Sequence, residues 1–230
     1  MRNLASILFT AGLAFLLLII AVQLGFGDPP MRVGQGILEA APDQVGAANI
    51  VTAVLLGYRG FDTLGELSIL FAAATAVGLV LGRRRADAPH DPPGGFILRA
   101  GADLLFPLLL VVGLYVIAHG HLTPGGGFQG GVILAAAFFV AVLAHPERSL
   151  GHAVISVIEG LAGAAFILIG LWALVEDGEF LAPLLIEYGT LGELISAGTL
   201  PLLSLAVGLK VGSELAGLMA HLSDTEASDP

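Results

Sequence analysis

The sequence predicts an all-α protein: a polytopic membrane bundle of about six transmembrane helices with one further short, partial or re-entrant helix. Hydrophobic residues make up 56% of the 230-residue chain, charged residues make up only 12%, and the mean hydropathy is +0.92. This composition is too apolar for a water-soluble domain. The apolar residues are also collected into runs long enough to cross a bilayer, which indicates an integral membrane protein.

Each predicted span is justified by its length, because a helix needs about 20 apolar residues to cross roughly 30 Å of hydrocarbon. The first is longer than the core of a signal peptide and is expected to remain as an anchor. The fourth is short, so it is either less tilted or begins inside a glycine-rich stretch. Pro201 is expected to kink or break the sixth. The six spans are Leu4–Phe26, Leu64–Gly82, Ala100–Ala118, Gly131–His145, Ala153–Val175 and Leu191–Met219, and Val45–Leu56 is about half a span.

The chain is expected to divide at a charged, proline-rich linker, Arg83–Gly95. Residues 1–92 then form a two-span segment and residues 93–222 a four-span segment, followed by a polar, acidic and disordered tail at 223–230. Most Lys and Arg residues fall on one side of this topology, which places both termini in the cytoplasm. The net charge of −10 argues against nucleic acid as a partner.

The most distinctive motif is HGHLTPGGGFQGG, from His119 to Gly131. The concentration of glycine beside proline predicts a shaped loop at a membrane boundary. Its Gly-x-Gly-x-x-Gly spacing matches a dinucleotide fingerprint, but an apolar helix rather than a strand precedes it, which argues against a nucleotide. Histidine side chains can change charge near neutral pH, so His119 and His121 are candidate proton-relay residues, with an ordinary position at the interface as the alternative. Two histidines without further ligands argue against a metal, and no cofactor is expected in this chain.

Several ionisable residues fall inside the predicted spans, where insertion costs about 2.5–3.5 kcal/mol each and calls for a partner or a pathway. Glu159 and Lys210 have no capping role and are predicted to lie on an ion path. Snorkelling to the cytoplasmic surface is the alternative for Lys210, which lies four residues before Glu214. Asp103 is expected to form a local ion pair with Arg99, one helical turn before it.

Asp62 and Glu66 stand four residues apart, on one helical face, at the start of the second span. Glu66 belongs to Thr63–Leu67, TLGEL, which recurs as Thr190–Leu194, and each copy is expected to open a membrane helix. Two explanations of Glu66 are open. It lies on an ion path, or it completes a capping box that satisfies the first N–H groups of the helix. Glu193, in the second copy, is included among the candidate ion-path residues.

Two motifs resemble known membrane proteins. The His119–Gly131 motif and its flanking spans resemble the MnhB/MrpB family, a small membrane subunit of multisubunit cation/proton antiporters, and the equivalent subunit of membrane-bound hydrogenases. The segment Asn49–Glu66, NIVTAVLLGYRGFDTLGE, resembles the C-terminal part of the large antiporter subunit MrpA and the hydrogenase subunit MbhE. The linker is then a fusion point between two normally separate pieces. The residues that carry the first resemblance are Pro124, Gly125, Gly126, Gly127, Phe128, Gly130 and Gly131.

The resemblance implies a non-enzymatic subunit of an ion-translocating complex in a prokaryotic cytoplasmic membrane, surrounded by lipid, with Asp62 and Glu66 on a path for Na+ or H+. The implied partners are large antiporter-like subunits and small subunits of the MnhC, MnhE, MnhF and MnhG types. A peripheral hydrogenase or other oxidoreductase arm is a further candidate partner. Two alternatives stay open: a scaffold subunit with no ion path, and a self-sufficient transporter, which the lack of long inverted repeats disfavours.

Overall fold

The computed structural model describes residues 2–23, 32–81, 94–145 and 151–226, and this part of the chain contains helices and turns but no β-strand. The all-α class is therefore confirmed. Most of the predicted linker, the end of the first predicted span and residues 227–230 lie outside the described residues. The helices are α1 (Arg2–Gln23), α2 (Arg32–Gln44), α3 (Ile50–Thr52) continuing as a π-helical turn (Ala53–Tyr58), α4 (Gly60–Leu81), α5 (Phe96–Ala118), α6 (Gly127–Ala144), α7 (His152–Asp177), a 3₁₀ turn (Ile186–Tyr188) and α8 (Leu200–Glu226).

Among the described residues, six helices are long and apolar enough to cross a membrane. This confirms the polytopic membrane class and the number of spans. The fourth span begins inside the glycine-rich motif, which was one of the two explanations offered for its shortness. The spans are Leu4–Gln23, Gly60–Val80, Phe96–Ala118, Gly127–Ala144, Ala153–Asp177 and Leu200–Met219.

The sixth predicted span was wrong at its N-terminal end. Residues 190–199 form turns, and α8 begins only at Leu200. Positive φ angles at Gly192, Ala197 and Gly198 are incompatible with a continuous right-handed helix. Pro201 falls in the first turn of α8, where its missing N–H would have no helical partner in any case, so it does not break the helix. At the other end, the helix continues to residue 226, into the segment expected to be a disordered tail.

Two short helical elements precede the second span. The first of them, α2, is not predicted from the sequence, because this amphipathic helix has little net hydrophobicity and contains Pro42. The partial helix predicted at residues 45–56 corresponds to α3 and its π-helical turn, which are too short to cross a bilayer. The Thr63 hydroxyl donates a hydrogen bond to the Leu55 carbonyl at 2.8 Å and so ties this turn to α4. π-Helical turns are rare in proteins, but those that occur are frequently found at functional sites.

The described chain forms two compact units, residues 1–37 and residues 38–230. In the first unit, none of the residues in the α1 span is buried. In the second unit, α8 is the central helix and packs against α4, α5, α6 and α7. Its span is 56% buried, the largest fraction among the six spans. The large buried side chains of this core include Ile117 on α5, Phe166 on α7 and, on α8 itself, Leu203, Val207 and Val211.

Glycines allow α5, α6 and α8 to approach closely. A Cβ atom at Gly130 would lie 2.7 Å from the carbonyl oxygen of Gly113 on α5. A Cβ atom at Gly131 would lie 2.8 Å from the carbonyl oxygen of Gly208 on α8. Both distances are too short for a carbon atom against a backbone oxygen, so larger residues would force the helices apart. Small residues at membrane-helix interfaces allow this kind of close packing.

We expect Gly130→Ala to destabilise the bundle by about 1–3 kcal/mol, because the added methyl group overpacks the interface between α5 and α6. The matched control is Gly160→Ala on α7, where a Cβ atom meets nothing within 4 Å. The effect of each substitution is measured as the thermal stability of the purified complex that contains the variant subunit. Equal stability of the two variants would contradict the packing role of Gly130.

Candidate functional site

The two motifs that carry the family resemblance contact each other directly. The Asn49 side-chain amide donates hydrogen bonds to the carbonyl oxygens of Gly120 and Thr123, both at 2.8 Å. The Thr52 hydroxyl also donates to the Gly120 carbonyl, at 2.6 Å, and the Asn49 backbone N–H donates to the His121 carbonyl at 2.9 Å. The start of the partial helix is therefore fixed to the glycine-rich motif by hydrogen bonds that involve buried and half-buried groups.

The glycine-rich motif is only partly a loop. Gly125 and Gly126 have φ angles of +144° and +133°, which side chains other than hydrogen rarely allow. From Gly127 onward the chain is helical, so the loop prediction is correct for the first part of the motif and wrong for the second. The later glycines pack α6 against its neighbours: a Cβ atom at Gly127 would contact the backbone of Ser204 on α8. Pro124 is exposed in the loop, and Phe128 is half-buried in the first turn of α6.

The two candidate relay histidines have different surroundings. His119 is half-buried, stacks on the Tyr115 ring at a centroid distance of 4.0 Å, and its Nδ1 atom lies 3.0 Å from the Tyr115 carbonyl oxygen. His121 is fully buried beside the backbone of Glu193 and Leu194, yet neither ring nitrogen makes a well-oriented hydrogen bond within the described part of the chain. Burial lowers the pKa of His121 below its usual value, so the ring is neutral at pH 7. The proton-relay role stays a prediction.

A cluster of three charged side chains, Lys210, Glu159 and Glu214, lies inside the second unit; we call it the charge cluster. The Lys210 Nζ atom is 2.7 Å from Glu159 Oε1 and 2.8 Å from Glu214 Oε2. The same ammonium group lies 4.7 Å from the centroid of the Phe71 ring, a cation–π contact. Side chains from α4, α7 and α8 therefore meet at one lysine.

The charge cluster lies within the membrane-spanning helices and is largely buried. Lys210 is ten residues beyond the start of α8, about 15 Å along the helix axis and about halfway through the hydrocarbon. The side chains of Lys210 and Glu214 are 10% and 2% exposed, and that of Glu159 is 23% exposed. Because the ammonium group is held by two carboxylates, the snorkelling alternative for Lys210 is wrong. Removing one partner of such a buried ion pair costs about 3–5 kcal/mol.

The structure brings Glu159 and Lys210 together and adds Glu214, which was not among the predicted ion-path residues. The signal that identifies Glu214 is its i, i+4 spacing from Lys210, which places both side chains on one face of α8. The contact with Glu159 joins residues 51 positions apart on different helices, so the sequence spacing alone gives no indication of it.

A cavity of about 210 Å³ opens beside the charge cluster, between α4, α7 and α8. Glu214 contributes to its wall, and the Oε1 atom of this buried carboxylate has no hydrogen-bond partner among the described residues. A water molecule occupies about 30 Å³ in the liquid, so the cavity has room for several. The other residues that line it are Phe71, Ala74, Thr75, Gly78, Glu159, Gly217 and Leu218.

The predicted carboxylates at the start of the second span lie on an exposed surface of α4. The Arg59 Nε atom donates a hydrogen bond to Asp62 Oδ2 at 2.6 Å, and both side chains are more than half exposed. Glu66 is exposed about 9 Å along α4 from its first residue. In the membrane, this carboxylate requires a polar neighbour outside the described chain or a water-filled surface, because bare hydrocarbon does not solvate it.

The capping-box explanation of the TLGEL repeat was wrong for both copies. Thr63 lies inside α4, which begins at Gly60, and its hydroxyl bonds to the partial helix instead of capping. The second copy lies in turns before α8, so it opens no helix, and Glu193 is an exposed residue of this connection. Its proposed place on an ion path stays a prediction.

Asp103 pairs with His145, the residue that follows the end of α6, at 3.1 Å between Oδ1 and Nε2. The predicted ion pair between Asp103 and Arg99 was wrong. Packing of α5 against α6 instead brings His145, 42 positions further along the chain, next to Asp103. Within the described ranges, no group of three or more His, Asp or Glu side chains is arranged to hold a metal ion.

Two family models match the sequence. Residues 97–217 match the family described as a domain related to the MnhB subunit of the Na+/H+ antiporter, and residues 3–91 match the MbhE family of MBH subunits. The first match covers more than half of the chain. The chain therefore belongs to the MnhB-related family, and the resemblance drawn from the two motifs is confirmed.

Known proteins are similar over nearly the whole chain. A chain of the membrane-bound sulfane sulfur reductase, an archaeal respiratory membrane complex, superposes with a TM-score of 0.83 and 36% identity, covering 96% of this chain and 97% of that one. A chain of the Mrp complex from Dietzia sp. gives a TM-score of 0.75 and 29% identity, covering 98% of this chain and 27% of that one. An uncharacterized protein of Methanocaldococcus jannaschii is 32% identical over 82% of this chain and 80% of its own length. These findings identify a membrane subunit of an Mrp-type complex.

We expect acid to loosen the contact between His121 and the residue 193–194 backbone. The folded-state pKa of His121 is lowered, so the folded state binds protons less readily than the unfolded state. The stability that this neutral ring contributes is complete above an unfolded histidine pKa of about 6.5 and is lost as the pH falls toward the folded pKa. Hydrogen–deuterium exchange of peptides 119–126 and 190–196, corrected for intrinsic rates, measures this opening.

The variant His121→Gln should remove the pH dependence of this exchange, and the control His119→Gln should keep it, because residue 119 is half-exposed. Protection that is unchanged by pH in the unmodified protein would contradict the assignment.

Proposed function

We propose that this chain forms part of the path by which Na+ or another monovalent cation and protons cross the membrane in its complex, and that it catalyses no reaction itself. The observation that supports this function is the charge cluster of Lys210, Glu159 and Glu214 within the membrane spans, with a cavity beside it. Three charges inside hydrocarbon are expensive, and intramembrane ionisable groups typically mark ion pathways and proton relays. Membership in a family related to an Na+/H+ antiporter subunit supports the same function.

One ammonium group with two carboxylate partners can carry charge between positions. The Lys210 ammonium group forms ion pairs with Glu159 on α7, at 2.7 Å, and with Glu214 on α8, at 2.8 Å. When a proton or cation neutralises one carboxylate, the lysine is drawn to the other, which moves positive charge within the membrane. The Phe71 ring limits this movement on the side of α4.

We propose a membrane-bound respiratory complex as the parent assembly. The chain's counterpart in the sulfane sulfur reductase complex is 36% identical with a TM-score of 0.83, whereas its counterpart in the Mrp complex is 29% identical with a TM-score of 0.75, which favours the former assembly. Partners in such an assembly are large antiporter-like subunits, small subunits of the MnhC, MnhE, MnhF and MnhG types, and a peripheral hydrogenase or other oxidoreductase arm. The distribution of Lys and Arg supports an orientation with both termini in the cytoplasm, and the family resemblance supports a prokaryotic cytoplasmic membrane.

The exposed carboxylates of α4 have a separate place in this proposal. Asp62 and Glu66 belong to the motif that resembles MrpA and MbhE, and Glu66 lies on a surface that the described chain leaves uncovered. We assign them to the part of the path shared with a neighbouring subunit. His119 and His121 in the glycine-rich motif, together with Glu193, are proposed to conduct protons at one membrane surface.

Replacing Glu159 or Glu214 by glutamine in the intact complex should lower cation-driven proton exchange in vesicles by at least about tenfold per assembled complex, the effect of losing ~1.4 kcal/mol of barrier stabilisation. The physical reason is that an amide neither ionises nor exchanges a proton. The control is Glu179→Gln, an exposed residue of the connection before α8, which should transport normally. Unchanged transport in both cluster variants at full assembly would contradict the proposed path and favour a scaffold.

Glu66→Gln tests the α4 part of the path independently. We expect reduced Na+- or pH-driven exchange with normal assembly, because the exposed amide preserves shape and polarity but carries no charge. Exchange in inverted vesicles and the amount of assembled complex are measured together. Normal exchange at normal assembly removes Glu66 from the path.

A further inference from the structure

The cavity beside the charge cluster carries an unbalanced charge. With both carboxylates ionised, Glu159 and Glu214 contribute two negative charges and Lys210 contributes one positive charge, which leaves one negative charge. Among the described residues that line the cavity, those of α4 are uncharged: Phe71, Ala74, Thr75 and Gly78. The titratable groups of this described lining are Glu159 on α7 and Glu214 on α8. A net charge in a low-dielectric interior is costly until a counter-charge arrives.

We propose that this cavity binds one monovalent cation at the free oxygen of Glu214, and that Na+ and H+ compete for this single position. The inference rests on the proposed function and names the ligand of its site. One positive charge balances the cluster, whereas a divalent ion leaves a net positive charge beside Lys210.

The geometry of Glu214 supports this position. Its side chain is 2% exposed, and neither carboxylate oxygen makes a hydrogen bond among the described residues; Oε2 lies 2.8 Å from the lysine ammonium in an ion pair, which makes Oε1 the oxygen open to a ligand. A carboxylate oxygen is a suitable ligand for a hard cation, which takes oxygen donors. Thr75 lines the same cavity and offers a hydroxyl oxygen, and the volume of about 210 Å³ leaves room for water to complete the coordination.

The competition follows from the shared atom. A proton on Oε1 neutralises the carboxylate, and so does Na+ coordinated by that oxygen. Because either ligand satisfies the same single charge, the second gains no electrostatic stabilisation while the first is bound. Lys210 enforces this limit, since its ammonium group already neutralises the other negative charge. A site that holds Na+ or H+ but not both exchanges one for the other.

The test is carbodiimide modification of the intact complex in membranes. An apolar carbodiimide adds to a protonated carboxyl group in apolar surroundings and rearranges to a stable N-acylurea, so labelling reports the protonated fraction of Glu214. Mass spectrometry of the peptide that contains Glu214 measures the labelled fraction. NaCl is varied at several pH values, and choline chloride holds the ionic strength constant.

We expect Na+ to protect Glu214 from labelling, with the half-protecting concentration rising by up to about tenfold for each unit fall in pH, as simple competition requires. Labelling that ignores Na+ at every pH overturns the inference. Protection that does not depend on pH overturns it as well, and so does an absence of labelling at low pH.

Two variants sharpen the result. Thr75→Val keeps the shape of the side chain but removes an oxygen ligand, so labelling should persist while the half-protecting Na+ concentration rises severalfold. The matched control is Thr10→Val on the exposed surface of α1, which should leave the Na+ protection unchanged. Equal protection in the Thr75 variant and the control would place the cation away from this wall of the cavity and overturn the site.

The labelling measurement tests the cation site, and the transport measurement tests the proposed function, so either can fail alone. Loss of transport in the glutamine variants with labelling that ignores Na+ supports the path and overturns the cation site. Competitive protection with normal transport in those variants supports the cation site and contradicts the path.

Discussion

A charge in the hydrocarbon region of a membrane needs a partner of opposite sign, and Lys210 meets this requirement for carboxylates on two helices at once. The lysine lies on α8, the most buried span and the one that packs against α4, α5, α6 and α7. Because α7 packs mainly against α8, the contact between Lys210 and Glu159 lies at the seam that joins α7 to the bundle. Neutralising this contact therefore changes the electrostatics of the membrane interior at the boundary between two packed helices.

The rest of the bundle positions the lysine by close backbone packing. Gly113, Gly130, Gly131 and Gly208 let α5, α6 and α8 approach so closely that a methyl group would meet a neighbouring helix. At one end, Asn49 and its neighbours bond to the glycine-rich motif. These bonds join the MbhE-like and MnhB-like parts of the chain without relying on the sequence between them. Helix α4, from the MbhE-like part, thus packs in the same core as the helices of the MnhB-like part, although the two parts resemble separate proteins.

Local sequence signals predicted the spans but not the contacts between them. Long apolar runs predict membrane helices because the cost of burying polar groups in hydrocarbon dominates all weaker preferences. The same signal failed at residues 191–199, where an apolar run contains Gly192 and Gly198 with left-handed backbone conformations. It also missed α2, whose polar face and Pro42 remove the hydropathy signal.

The candidate site was predictable in part, for the same reason. The burial cost identified Glu159 and Lys210 one at a time, and the i, i+4 spacing was available for Glu214. Their convergence depends on how α7 packs against α8, and pairing of Asp103 with His145 depends likewise on α5 against α6. No local pattern specifies such pairings.

The central claim is that the charge cluster serves ion movement and is dispensable for folding. Replacing a whole buried ion network by neutral residues of similar volume is often neutral or stabilising, whereas removing one member leaves a charge unpaired. The most direct measurement is therefore transport per assembled complex in the triple variant Glu159→Gln, Lys210→Met and Glu214→Gln. We predict normal assembly with cation-driven proton exchange abolished, and normal assembly with normal exchange would contradict the account.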